Sequence, residues 1–182
     1  MPPPADAALL LIDVQRAIDD PSWGRRNGPA AEANIARLLD AWRARGAPIV
    51  HVRHVSREPR STFRPGQPGV EWKPEGTPKG GEPVITKHTP SAFADTSLMQ
   101  ELRDRGIDAL VVVGFITNNS VETTARVAAT LGYRVWVVDD ATATFDRVDR
   151  AGRAWSADEV HALSLSNLDG EYATIVATDE LL

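Results

Sequence analysis

Six short runs rich in Val, Ile, Leu and Ala limit this chain more than any other feature. They span Ala8–Asp13, Pro48–Val55, Pro83–Lys87, Ala109–Gly114, Arg134–Val138 and Tyr172–Ala177. A strand with one wet face alternates apolar and polar residues. Runs that are largely continuous need cover on both faces, as the strands of a parallel sheet have. Helix-period segments fall between the runs. Ile35, Leu38, Leu39 and Trp42 share one face, with Gly46 as a stop. Leu98 and Leu102 mark a second helix, ended by Gly106. Val121, Thr124, Ala125, Ala128 and Leu131 mark a third, ended by Gly132. Ser156-Ala157-Asp158-Glu159 opens a fourth with a capping-box pattern, in which hydroxyl and carboxylate satisfy each other's free N–H groups.

This order predicts a single α/β domain over residues 1–182, with residues 1–7 as a tail. Its expected architecture is a doubly wound, six-stranded parallel sheet of order 3-2-1-4-5-6, with helices on both faces. At 182 residues the chain is long enough to bury a core. Residues 54–82 break the rhythm with Pro, Gly and charge. A stretch of that length inside a compact domain is expected to be an active-site or interface loop, because Phe63 and Trp72 are costly to leave in water.

Composition closes off several functions. The net charge of -5 and the scattered Arg residues give no basic stripe for nucleic acid. With no Cys, disulfides and thiolate metal sites are excluded. The start, Met1-Pro2-Pro3-Pro4, lacks the basic and apolar regions of a signal peptide. No apolar run approaches the roughly 20 residues of a membrane helix. The chain is therefore expected to be cytoplasmic, without membrane or nucleic-acid partners. No G-x-G-x-x-G follows the first strand, which argues against a dinucleotide enzyme. The paired acidic cluster of a phospho-accepting receiver is missing too.

In an open parallel sheet, ligands bind beyond the carboxyl ends of the strands where strand order reverses. Strands one and four meet there in the expected order. Asp13 ends the first, and the fourth runs through Gly114 towards Ser120, where a helix begins. Lys87 ends strand three on the same edge. Each residue alone has an ordinary explanation as a turn, a solvated lysine or a helix cap. The three together make a candidate site.

The same residues carry a family pattern. Leu10-Leu11-Ile12-Asp13-Val14-Gln15, then Val84-Ile85-Thr86-Lys87 with Ser91-Ala92-Phe93, then Val113 to Arg126, resemble in order the three motifs of the isochorismatase-like cysteine hydrolases. The likeness extends from about residue 8 to 178. It implies an Asp–Lys–Cys triad acting on C–N bonds of small amides. Carried over, Asp13 moves the proton, Lys87 orients Asp13 and favours nearby anions, and backbone N–H groups of Ile116 and Ser120 form the oxyanion hole. A cis peptide at Phe115-Ile116 is implied as well.

The departure is Ser120, which stands where the family keeps its cysteine. A serine hydroxyl ionises far less readily than a thiol in the same place. The chain is expected to hydrolyse amides slowly or not at all, whether the serine is natural or replaces a cysteine. The alternative is a serine-bearing relative that binds a small ligand or a protein partner without catalysis. Phe63, Trp72 and Phe115 are expected as apolar pocket walls, joined by His54 and Asn119. His51 is expected in the core, His88 to turn from the crevice, and His161 to be structural. His51 and His54 lack the Asp-x-His pattern by which nicotinamidases of this superfamily hold a metal, so neither metal nor cofactor is implied. The resemblance also implies a homo-oligomer.

Overall fold

Each apolar run becomes a strand in the computed structural model, which describes residues 2–182. In chain order these are β1 (Ala8–Ile12), β2 (Ile49–His54), β3 (Val84–Lys87), β4 (Ala109–Phe115) and β5 (Arg134–Ala143). A short hairpin follows, β6 (Arg147–Val148) with β7 (Ala154–Trp155), and then β8 (Thr174–Val176). The main sheet has the order β3-β2-β1-β4-β5-β8 and is parallel throughout. This is the expected order, with the hairpin inserted before the last strand.

Every residue of β1 is buried, and successive residues face opposite layers. Leu9 and Leu11 join one core, with Ile35, Leu38, Leu39 and Trp42 of helix α1 (Ala31–Ala44). Ala8, Leu10 and Ile12 join the other, under α2 (Leu98–Asp104), α3 (Glu122–Thr130) and α4 (Ala157–Leu168). Two-sided cover is the reason the run does not alternate. Each large side chain so withdrawn from water contributes about 2 kcal/mol. The capping box of α4 is formed in both directions, Glu159 N–H to Ser156 Oγ and Ser156 N–H to Glu159 Oε2. Gly46, at φ 65, ends α1 as expected. No helix among the described residues is long and apolar enough to cross a membrane.

Several boundaries differ from the sequence reading. The fifth strand runs on past Val138 to Ala143, and the sixth shortens to Thr174–Val176. Leu131 is exposed rather than part of the α3 stripe, because the helix has ended at Thr130. In the expected tail, Met1 lies outside the described residues, and Ala7 is fully buried beneath Trp42, whose indole N–H donates to its carbonyl.

The crevice needs one glycine. At Gly114, φ is 114 and β4 approaches β1 so closely that a Cβ would lie 2.0 Å from Ile12 O. Only glycine fits both demands. The β4–β5 register shifts at the same point. Residues 54–82 are tied down rather than loose. Arg16 N–H donates to Glu71 O and Lys73 N–H to Val14 O, which sews the segment to the residues that follow β1.

Candidate active site

The chain turns sharply at Asp13 (φ 51), one residue beyond β1, a conformation Asp tolerates better than most residues. Lys87, the last residue of β3, reaches under it. Ser120 lies within a wide turn, Thr117–Val121, that leads into α3. Val121 N–H donates back to Ile116 O across five residues, a spacing frequent at functional sites. The Phe115–Ile116 peptide bond entering this turn is cis, as the family pattern implies.

These three elements converge. Lys87 Nζ donates to Asp13 Oδ2 at 2.7 Å, to Ser120 Oγ at 3.1 Å and to Thr89 O at 3.1 Å. Lys87 is fully buried, and Asp13 and Ser120 nearly so. Asp13 Oδ1 is buried with no hydrogen-bond partner among the described residues. Burial raises the Asp13 pKa above its ordinary value, against the pull of the Lys87 ammonium and the Ser120 hydroxyl. The result is a carboxylate with one oxygen paired and one left open beside a hydroxyl.

A cavity of about 260 Å³ opens over this floor. Of the expected lining residues, His54, Phe63, Phe115 and Asn119 contribute, as does Ile116. Trp72 does not, which corrects the expectation. Its ring packs edge-on to His51 (centroids 5.7 Å apart), and its backbone bridges to Gln15. Within the chain Phe63 is buried and Trp72 half-buried. His88, expected to turn away, lines the cavity. His51 is in the core as expected, facing Glu82 rather than the site.

Other residues had no distinctive sequence signal. Trp23 adds an aromatic wall, stacked on Phe145. Glu58 and Ser61 form part of the rim. Gln15 is wholly buried and clamps the wall, its amide donating to His54 O and Val70 O while its oxygen accepts from His54 N–H. Its place in the first motif was the available clue. Behind the turn, Thr117 Oγ1 meets His161 Nδ1 at 2.9 Å and His161 Nε2 meets Asp139 Oδ1 at 2.7 Å. Those bonds give His161 its structural role.

Among the described residues no group of three or more His, Asp or Glu side chains is arranged to hold a metal. A larger groove, about 570 Å³, lies over β5 and β8. It lacks converging polar groups of the kind seen around Lys87. The candidate site is therefore the smaller cavity, at the sheet edge where strand order reverses.

Comparison with known proteins bears on the same region. The isochorismatase domain profile matches residues 7–180. A crystal structure of an isochorismatase-family protein from Chromobacterium violaceum is 54% identical, with a TM-score of 0.94, covering 100% of this chain and 96% of that one. The isochorismatase family protein YrdC of Bacillus subtilis is 38% identical over 96% of this chain and 94% of its own length. Nicotinamidase 3 of Arabidopsis thaliana is 30% identical over 96% of this chain and 86% of its own. A match that runs from strand β1 to the end of the last strand, and includes the Asp13, Lys87 and Ser120 segments, makes this chain a member of the isochorismatase family.

Proposed function

We propose that the fold is built to hydrolyse a carbon–nitrogen bond in a small amide, and that Ser120 at the nucleophile position makes this chain slow or inactive. One observation carries the reading. A single buried ammonium, Lys87 Nζ, binds both Asp13 Oδ2 and Ser120 Oγ at the floor of a cavity. Kinship with a nicotinamidase supports the amide.

In this mechanism the position-120 side chain attacks the carbonyl carbon and gives its proton to Asp13 Oδ1. The carbonyl electrons move to oxygen, which the Ile116 and Ser120 N–H groups receive. When the C–N bond breaks, Asp13 returns the proton to the leaving nitrogen. Water then attacks the acyl group, Asp13 takes its proton, and the side chain at 120 recovers a proton as the acid departs. Lys87 keeps its charge throughout and holds Asp13 in line. A cysteine would enter this cycle already ionised beside Lys87. The Ser120 hydroxyl must instead lose its proton during attack, with only a carboxylate as base.

The test needs no substrate. In the Ser120→Cys protein, the rate of alkylation by iodoacetamide is followed against pH. The expected thiol titrates well below the free value of about 8.5 and reverts towards it in the Lys87→Ala background. A thiol near or above the free value in both would remove the hydrolase reading and leave a ligand-binding crevice.

A further inference from the structure

His54 and His88 stand at the ends of neighbouring strands and line the cavity, yet the cycle above uses neither. Their partners assign them opposite hydrogen-bonding roles. Lys87 Nζ, which donates to Asp13, Ser120 and Thr89, also lies 3.5 Å from His54 Nδ1, at the limit of a fourth, shared hydrogen bond. A cation that near favours a lone pair over an N–H, which assigns the His54 proton to Nε2. Burial, then Lys87 and His88, lower the His54 pKa to about 4, so the ring is neutral at pH 7. His88 is arranged the other way. Its Nδ1 lies 2.7 Å from Val55 O, a pure acceptor, so Nδ1 carries a proton, and the tautomer this bond selects has its lone pair on Nε2. Neither Nε2 atom has a protein partner among the described residues.

We propose that His54 and His88 are a specificity-determining pair, one donor and one acceptor, that selects an amide edge with its carbonyl and N–H on the same side. That edge belongs to primary carboxamides and to ring amides held cis. A carboxylate shows only acceptors and would set a lone pair against His88. A trans secondary amide shows its oxygen and N–H on opposite edges and satisfies one ring at a time. The cavity of about 260 Å³, walled by Phe63, Phe115 and Trp23, takes a body about the size of one ring. The proposal rests on the amide reading of the site, but recognition is separable from turnover.

Binding is therefore measured by calorimetry on the Ser120 chain at neutral pH, with benzamide, 2-pyridone, benzoate and N-methylbenzamide as probes. Benzamide and 2-pyridone are expected to bind at least about tenfold more tightly than the other two. His54→Phe and His88→Phe should each close most of that gap. Because either variant may perturb folding, long-range proton–nitrogen correlation on the unsubstituted protein reads the tautomers directly. A proton on His54 Nδ1, or on Nε2 of neutral His88, overturns the proposal. So does benzoate or N-methylbenzamide binding as tightly as benzamide, or no binding of benzamide at all. Selectivity with an unactivated thiol in Ser120→Cys would keep the pair and discard the hydrolase. An activated thiol without selectivity would discard the pair alone.

Discussion

The two ends of β3 each hold a carboxylate beside a cation and a histidine, Glu82 partly buried and Asp13 buried, with opposite results. Before the strand, Glu82 accepts from Arg43 Nε (2.7 Å), Arg43 Nη2 (2.9 Å) and Lys79 N–H (2.8 Å), and meets His51 Nε2 at 2.8 Å. Burial opposes its charge, yet Arg43, Lys79 N–H and His51 together hold its pKa at about 2. After the strand, Asp13 has Lys87 on one oxygen and no partner on the other, and burial pushes its pKa up. A nearby cation does not settle a carboxylate's character. Its depth of burial and the number of donors on its oxygens together do. A saturated carboxylate holds the structure, and an open one is available to move a proton.

This contrast can be broken in four ways. In the Ser120→Cys background, Asp13→Asn is expected to lower kcat by about a thousandfold, read as ammonia release from an amide panel. Glu82→Gln should leave kcat within a factor of about three, since its cluster is on the far side of β3 from the chemistry. A large loss there would undo the division of labour.

Stability should show the reverse. Glu82→Ala strands Arg43 and His51 and is expected to cost about 2 kcal/mol by urea unfolding, less than a fully buried pair because the guanidinium reaches water. Replacing Asp13 and Lys87 together with Asn and Met should come within about 1 kcal/mol of the parent, or be more stable, while abolishing activity. If that double variant unfolds more readily than Glu82→Ala, the Asp13 end is structural as well.

The pH dependence separates the two by sign. Glu82 is lowered, so its stabilisation is full above its ordinary value of 4.5 and is lost as pH falls towards about 2. Asp13 is raised from 3.8, so the folded chain keeps a proton that the unfolded chain has released, and stability is lost as pH rises through that window. Unfolding midpoints of Glu82→Gln should therefore fall less steeply than the parent's under acid. An unchanged acid limb would contradict the assignment. The smallest effect concerns His54, which carries no charge near neutrality. In Ser120→Cys, His54→Gln should move the thiol pKa by under roughly 0.3 units, against a unit or more for Lys87→Ala.

The strand ends could be read from the apolar runs, and the sheet order and the meeting of Asp13, Lys87 and Ser120 followed from an assumed doubly wound order together with the family motifs. The loop could not be read as well. Phe63 and Trp72 look alike in a segment with no periodicity, and only tertiary contacts send one ring into the cavity and the other against His51. His88 was misjudged because the chain leaves strand geometry after Lys87, where alternation ceases to apply. The β6–β7 hairpin has two residues per strand, too few for a pattern. Glu82 gave no sign of its role and Gln15 only its place in the first motif, since a polar side chain withdrawn from water is recognised by its partners rather than its spacing.

Gln15 has a consequence for how such a protein can change. Its amide joins the end of β2 to residue 70 of the long segment, two residues from Asp13. The wall that carries Phe63 is thereby built into the scaffold that aims the carboxylate. Glu58, on the rim, is exposed, as are its chain neighbours Arg57, Pro59 and Arg60. Substitutions there would alter what is admitted without shifting what reacts. On the proposed function, entry to the cavity can thus be varied apart from the His54 and His88 pair and the groups beneath it, and a library confined to those four positions would change the first while sparing the second.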